Sequence, residues 1–325
     1  MKILRSLLSF FKSLGHLFMA AGKGFVEDKV TKLSASLAYY TIFALTPLII
    51  IVISAASIFF GDKLNADTEL FSEINSFIGE PATLQLQSFV INANLSGKST
   101  LGLLVGIITL VIGSTAIFIE IQDSINLIWK VRAIPKKGWI KMLTNRLLSF
   151  SLIVSMGFLL LVSLVVNSII VGLGSKISQY IPEVTTIMMD LITRVVTLAV
   201  VTGIFTIIFK VLPDVIIKWK TAIIGALFTA VLFSIGQFLI GIYIEKGNPG
   251  SAFGAAGSII IILLWIYYSS IILYFGAEFT QAYSEKYDQA IAPSKYAVLT
   301  KIIIIEKEVT ILPPQHPEDT KAITD

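Results

Sequence analysis

The stretch TAIIGALFTAVLFSIGQFLIGIYI, residues 221–244, contains no charged side chain. An apolar helix of roughly 20 residues crosses the hydrocarbon core of a bilayer, and this stretch is long enough to do so. A glycine-rich connection leads from it to residues 255–281, in which Glu278 is the one charged side chain. The two segments therefore predict a pair of membrane-spanning helices.

Four further segments have the same apolar character, near residues 33–60, 100–128, 147–172 and 188–211. Together the six segments predict an all-α, polytopic integral membrane protein with a six-helix domain over residues 33–285. The composition agrees with this prediction. Hydrophobic residues make up 55% of the 325-residue chain and charged residues 14%, and the mean hydropathy is +0.85, which is too apolar for a water-soluble protein.

Three segments outside the spans have a different character. In residues 1–32 the apolar positions recur at helical spacing, which predicts a cytoplasmic amphipathic helix on the membrane surface. Residues 62–98, between the first two spans, contain a second amphipathic pattern and predict an external helix that caps the outer face. Residues 286–325 are polar and proline-bearing, so we expect a cytoplasmic tail that is mostly disordered, apart from a short strand at 302–305.

Basic residues in the short loops indicate the orientation, because lysine and arginine in such loops are retained on the cytoplasmic side. They cluster before the first predicted span, after the second and after the fourth, whereas the other loops are mainly acidic. This pattern predicts that both termini are cytoplasmic. The basic residues concerned are Lys23, Lys29, Lys32, Lys130, Arg132, Lys136, Lys137, Lys141, Arg146, Lys210, Lys218 and Lys220.

The composition also excludes several classes of function. The chain has no cysteine, and its two histidines, His16 and His316, lie near opposite ends, so we expect neither disulfides nor a metal site. No phosphate-binding loop, dinucleotide fingerprint or nucleophile elbow occurs, and no buried nucleophile with a neighbouring base can be identified. We therefore expect no cofactor and no enzymatic activity. Because the basic residues lie in short loops beside the spans, they indicate topology and not nucleic-acid binding.

Charged residues inside apolar helices are the first candidates for a functional site, because each is costly in a bilayer unless it is paired or hydrated. Glu120 and Asp123 lie three residues apart near the inner end of the second span, on one helix face. Glu278 near the inner end of the sixth span and Arg146 at the start of the third could join them in one polar cluster. The alternative is that these groups reach water at the headgroup boundary and only pair helices.

Arg194 lies inside the outer end of the fourth span, where an unpaired guanidinium would be costly. Asp190, one turn earlier, is a candidate ion-pair partner. The two alternatives are a structural ion pair and a contact to an anionic substrate group.

The connection between the fifth and sixth spans and a proline in the first span are candidate mobile elements. Glycine and proline at this density interrupt a helix, so the connection is either a gate that lines a cavity or a tight external hairpin. Three polar or aromatic residues could line a cavity or only pack between helices. The candidate gate or hinge residues are Pro47, Gly247, Asn248, Pro249, Gly250, Gly254 and Gly257, and the candidate lining residues are Tyr39, Tyr40 and Gln237.

Several motifs together resemble the YihY/BrkB family of bacterial inner-membrane proteins. They are KLSASLAYY at residues 32–40 leading to Thr46-Pro47, NLIWKV at 126–131, GAEF at 276–279 and the glycine-rich turn at 243–258. The resemblance covers roughly residues 25–285. It implies a six-helix fold in the bacterial inner membrane, and it implies no catalytic residue set. Members are often labelled ribonuclease BN, but tRNA processing of that type would need a histidine-rich metal centre that two distant histidines cannot build.

These observations favour a transporter or a translocase of lipids or other amphiphiles. In this hypothesis Glu120, Asp123 and Glu278 bind a proton or a substrate headgroup on the inner side, and Arg194 contacts an anionic headgroup on the outer side. Membrane lipids are then the expected partners. The alternative hypothesis is a non-catalytic scaffold that binds other envelope proteins through its external helix and cytoplasmic tail.

Overall fold

The computed structural model describes most of the predicted helical domain. It covers residues 2–43, 100–134, 182–247, 256–288, 291–294 and 297–300, together with positions 71, 72, 75, 80, 82–85, 87, 88, 249 and 253. The span predicted at 147–172, most of the span predicted at 33–60, and the strand predicted at 302–305 lie outside these residues.

The described chain is mostly helical. The helices are α1 (Lys2–Glu27), α2 (helical over residues 30–43), α3 (Thr100–Ile128), α4 (Pro182–Val211), α5 (Trp219–Gly247) and α6 (Gly257–Tyr287). Helix α3 coincides with the second predicted span, and α4, α5 and α6 overlap the fourth, fifth and sixth. Within the described residues, three segments are long and apolar enough to cross a membrane, namely Leu191–Val211, Trp219–Gly247 and Gly257–Tyr287.

Helices α5 and α6 pack closely because each places a glycine opposite a threonine of the other. A Cβ atom added at Gly225 of α5 would collide with Thr280 of α6, and one added at Gly276 of α6 would collide with Thr229 of α5. The two threonine hydroxyls donate to backbone carbonyls one turn earlier in their own helices, at 2.7 Å and 2.6 Å. Neither hydroxyl is therefore left without a partner in the apolar interface.

Helices α1 and α2 run antiparallel to successive parts of α6. In α1, Leu17 and Ala21 pack with Phe279 in one apolar cluster, and the Ser13 and Tyr287 hydroxyl oxygens are 2.5 Å apart. In α2, Ala38 packs with residues near the start of α6. Helix α1 thus forms as its periodicity predicts, and its buried positions contact α6, whereas its placement on the membrane surface stays a prediction.

Two small antiparallel sheets join the chain segments at one end of the helices. Strand β1 (Val131–Ala133), which follows α3, pairs with β4 (Ala297–Leu299), and β2 (Val215–Ile216), between α4 and α5, pairs with β3 (Ala292–Pro293). The Lys130 ammonium forms an ion pair with Asp28, just before α2. The connections with the predicted cytoplasmic lysines therefore lie at the same end of the molecule.

The first part of the predicted tail differs from the expectation of disorder. Residues 292–293 and 297–299 are in strands, because the exposed backbone edges of β1 and β2 offer them hydrogen-bond partners. Thr300 continues this pairing by donating its backbone N–H to the Lys130 carbonyl at 2.7 Å. Composition alone cannot predict this pairing, because the partner strands are far away in the sequence.

We expect Gly225→Ala to destabilise the protein, whereas Gly241→Ala should not. An added Cβ at position 225 meets Thr280, but one at position 241 of the same helix has no atom within 4 Å. Overpacking of this kind costs about 1–3 kcal/mol, while glycine to alanine in a helix otherwise gains roughly 0.5–1 kcal/mol. Thermal unfolding of the two variants in lipid nanodiscs measures the difference. Equal midpoints would contradict the close packing of α5 on α6.

Candidate functional site

Buried polar atoms without a hydrogen-bond partner are concentrated near the end of α6 that carries Glu278. Five such atoms occur in the part of the chain that the structure describes, and four of them belong to Asp28, Ser34, Tyr274 and Glu278. Helix α6 has 31 residues, which span about 46 Å against a hydrocarbon core of about 30 Å. Roughly 20 residues from its start, the apolar run of α6 ends at Glu278.

Glu278 is enclosed on all its described sides. Its side chain is 2% exposed, and its carboxylate lies so close to the α1 backbone that a Cβ at Gly24 would collide with it. Any larger residue at position 24 would therefore have to displace the Glu278 carboxylate. The Oε1 atom accepts no hydrogen bond from the described residues.

Asp28 is an acidic neighbour of Glu278, since it lies one helical turn after Gly24, the residue next to the Glu278 carboxylate. The Asp28 side chain is 8% exposed and accepts from the Lys130 ammonium through Oδ1. Its second oxygen, Oδ2, has no hydrogen-bond partner among the described residues. The site thus contains two buried carboxyl groups and one ammonium group.

The local backbone brings Asp28 and Lys130 together. Helix α1 ends with the Asp28 N–H donating to the Gly24 carbonyl at 2.8 Å, and Lys29 then adopts a left-handed conformation with φ 53°. Lys130 adopts a similar conformation, φ 55°, directly after α3. Left-handed residues commonly terminate helices, although for a residue other than glycine they cost about 1–2 kcal/mol. Here both turns lie beside the buried carboxyl pair.

Tyr274 lies one helical turn before Glu278 and extends the polar region towards α3. Its side chain is completely buried. Ser124 and Glu120 are its polar neighbours on α3, yet the hydroxyl makes no hydrogen bond of standard geometry to a described residue. Ser34 shares one face of α2 with Val30 and Leu37, which pack in the same apolar cluster as Tyr274.

A separate, fully paired network connects the ends of α3, α4 and the tail. The Asn126 side chain donates to Asp214 Oδ2 at 2.9 Å and accepts from the Asp214 backbone N–H at 2.8 Å. The Asp214 carbonyl in turn accepts from the Ser294 N–H at 2.9 Å. This network holds the α4–α5 connection against α3 and leaves no oxygen of Asn126 for a ligand.

The structure brings together some of the predicted site residues and separates others. Glu120 and Glu278 border the same tyrosine, whereas Asp123 and Arg194 are exposed. Arg146 lies outside the described residues. The residues that lie beside Glu278 in the structure are Asp28 and Lys130, neither of which belongs to the predicted cluster.

The candidate gate residues are described only in part. Helix α5 ends at Gly247, Pro249 lies in a turn, and α6 begins at the buried Gly257, so the helix break is where the composition predicts it. Tyr39 and Tyr40 are exposed on α2, and Gln237 is half-buried on α5. The remaining four positions, Pro47, Asn248, Gly250 and Gly254, lie outside the described residues.

Sequence reasoning missed Gly24, Asp28, Ser34, Lys130 and Tyr274 as site residues. Lys130 was counted only as a topological charge, and Asp28 lies outside every predicted span. A signal was nevertheless present. Ser34, Lys130 and Glu278 come from three of the motifs that carry the family resemblance, and the structure joins these motifs at one place.

The model of the family described as virulence factor BrkB matches residues 21–298. This chain belongs to that family. The resemblance stated from the motifs is thereby confirmed, and the protein is a membrane protein, as its relatives are.

The chain is similar to several curated bacterial proteins named UPF0761 membrane protein. One from Pseudomonas paraeruginosa is 29% identical over 265 residues, covering 78% of this chain and 59% of the relative. Others, from Tolumonas auensis and Pseudoalteromonas translucida, are 26% and 28% identical and cover 80% of this chain. The chain spans about three fifths of the length of the Pseudomonas relative, but 82% and 83% of the other two. No solved structure matches the chain.

Asp288 of this BrkB-family chain lies just beyond α6, and its hydrogen bonds predict how stability depends on pH. It accepts hydrogen bonds from Lys218 at 2.8 Å, Thr221 at 2.7 Å and Ser284 at 3.0 Å. The hydrogen bond from Lys218, assisted by those from the two hydroxyls, lowers the pKa of the Asp288 carboxyl, and partial burial opposes this only in part. The ionised carboxylate therefore stabilises the folded state.

We expect Asp288→Asn to lower the free energy of unfolding by about 1–2 kcal/mol at neutral pH. The folded-state pKa lies below the unfolded value of about 3.9, so the stabilisation is present above about pH 4 and is lost as the pH falls through the folded-state pKa. Unfolding in nanodiscs across this pH range measures it. Glu285→Gln, an exposed carboxylate on the last turn of α6, is the matched control. If the difference in unfolding free energy between the native chain and Asp288→Asn stays the same at acid pH, the stabilising role of the ionised Asp288 carboxylate is contradicted.

Proposed function

We propose that this protein is a bacterial inner-membrane transporter or a translocase of lipids or other amphiphiles. The observation that carries the proposal is the group of buried, unpartnered polar atoms where α1, α2 and α6 meet. The proposed arrangement has six spans and both termini in the cytoplasm, with membrane lipids as neighbours. No enzymatic step is part of the proposal.

The physical argument concerns the cost of these atoms. A buried polar group without a partner costs about 1–3 kcal/mol, and ionisable groups inside a membrane are rare and usually line ion or substrate paths. A purely structural helix interface would be expected to satisfy most of its polar atoms, as Thr229 and Thr280 do between α5 and α6, where Trp265 Nε1 is the fifth unpartnered atom among the described residues. Polar atoms that lack partners favour a region that water, ions or a substrate reach during a working cycle.

The roles of the other candidates belong to the same proposal. Glu120 extends the polar region beyond Tyr274, while Asp123 and Arg146 provide charge at the inner boundary. Arg194 contacts an anionic headgroup on the outer side. The segment 247–257 and Pro47 provide the hinges that open the path.

The proposed topology predicts which end of the helices is cytoplasmic. The chain has no cysteine, so Arg132→Cys in β1 and Lys246→Cys at the far end of α5 each introduce a single thiol at an exposed position. A membrane-impermeant maleimide should label the thiol at position 246 in intact spheroplasts, and the thiol at position 132 only after lysis. Labelling in the reverse pattern, or of both in intact spheroplasts, would contradict cytoplasmic termini.

Translocation itself can be tested in proteoliposomes that contain purified protein and a fluorescent phospholipid. A reductant added outside bleaches outer-leaflet lipid, so protein-dependent loss of the protected fraction reports flipping. We expect the native chain to flip lipid and Glu278→Gln to slow it at least about tenfold, corresponding to about 1.4 kcal/mol in the barrier. Arg194→Gln should reduce the rate for anionic lipids in particular.

The matched control is Glu285→Gln, an exposed carboxylate on the same helix, which should flip lipid at the native rate. Each variant is compared at equal reconstitution and after size-exclusion chromatography. Absence of flipping and of soluble-amphiphile uptake above empty liposomes would overturn the proposal. Stable co-purifying envelope proteins would then favour the scaffold.

A further inference from the structure

The carboxyl groups of Asp28 and Glu278 are neighbours, because Asp28 follows Gly24 by one helical turn and a Cβ at Gly24 would collide with the Glu278 carboxylate. An ionised carboxylate only accepts hydrogen bonds, so a hydrogen bond between two carboxyl groups requires that one of them carries a proton. The oxygens Asp28 Oδ2 and Glu278 Oε1 are both buried and receive no other donor from the described residues. One proton between the two carboxyl groups would therefore supply the hydrogen bond that no other donor among the described residues provides.

The charges around the pair also favour one bound proton. Lys130 is the one ammonium group that faces Glu278, and it already pairs with Asp28. Glu27 of α1 adds further negative charge and is itself exposed beside Lys23 at 3.6 Å. Tyr274, one turn earlier on α6, is neutral, and Glu120 of α3, which borders this tyrosine, is a further acidic group on that side. With one proton, two carboxyl groups and one ammonium group are neutral together.

Burial decides between the two ligands that the sequence allows for Glu278, a proton and a lipid headgroup. The side chains of Glu278 and Asp28 are only 2% and 8% exposed, and the α1 backbone at Gly24 occupies the space beside the Glu278 carboxylate. A headgroup has no access to this carboxylate while α1 is in place. A metal cation is disfavoured by the neighbouring Lys130, and no cluster of metal-ligating side chains occurs among the residues described.

We propose that Asp28 and Glu278 bind one proton between them, forming a proton site where α1 ends against α6. Loss of the proton would leave two negative carboxylates against each other in a buried interface, which weakens the contact of α1 with α6. Proton binding itself does not depend on transport. Its coupling to the movement of a substrate rests on the proposed function.

The test is infrared difference spectroscopy of the full chain in nanodiscs, between about pH 5 and about pH 9. The native chain should show a protonated-carboxyl band that disappears on alkalinisation. Glu278→Gln and Asp28→Asn should each abolish the titrating band, and the control Glu285→Gln should leave it unchanged. Lys130→Gln should have the opposite effect and retain the band at higher pH, because the cation that opposes proton binding by the pair is gone.

A pair of glycine variants tests the geometry separately from the charges. Gly24→Ala displaces the Glu278 carboxylate and should weaken or shift the band, whereas Gly22→Ala, whose added Cβ has no atom within 4 Å, should not. If Glu278→Gln fails to fold, Asp28→Asn and Lys130→Gln still decide the result, since Lys130 is 45% exposed.

A titrating band that both acid variants remove supports the proton site. A native chain without such a band, a band that neither variant changes, or a band displaced by sodium at constant pH overturns it. If the native chain flips lipid but shows no titrating carboxyl band, the proton site is contradicted and the proposed function is still supported. If the band is observed but neither lipid flipping nor amphiphile uptake occurs, the proton site is supported and the proposed function is contradicted.

Discussion

The close contact between α5 and α6 at Gly225 and Gly276 is the constraint on which the described helices depend. Lipid provides no hydrophobic driving force between helices, so association relies on close van der Waals packing and on small residues that permit it. Once α5 and α6 are in contact, α6 presents its other faces to α1, α2 and α3. The helix that carries Glu278 is thereby the centre of the packing as well as of the polar site.

The polar end of the molecule is organised by backbone pairing and not by apolar contact. Strands β1 and β2 follow or connect helices, and each acquires a partner from the chain beyond α6. Asn126 and Asp214 add hydrogen bonds between α3 and the α4–α5 connection. These contacts keep the helix ends in register, so the buried carboxyl pair is surrounded by elements whose positions are set by other interactions. Rigid surroundings of this kind allow two carboxyl groups to be held close together.

Much of the architecture could be predicted from the sequence, because the length of an apolar run against the thickness of a bilayer is a local property. This is why α3, α4, α5 and α6 lie where the composition places spans, and why the helix breaks between Gly247 and Gly257. The sequence also places Glu278 alone in an apolar segment and leaves open whether it reaches water, and the structure buries it. Its partners were not identified, because Asp28 and Lys130 are 102 residues apart and neither lies in a predicted span.

The sequence by itself determined that the chain is a helical membrane protein of the BrkB family, that it contains no cysteine and only two histidines, and which charges lie in apolar segments. Only the tertiary structure decided what those charges face. Glycine at position 24 has no periodicity or charge to mark it, yet it lets α1 reach Glu278. The proximity of Asp28 and Glu278 depends on the packing of α1 on α6, which brings together segments that are far apart in the sequence.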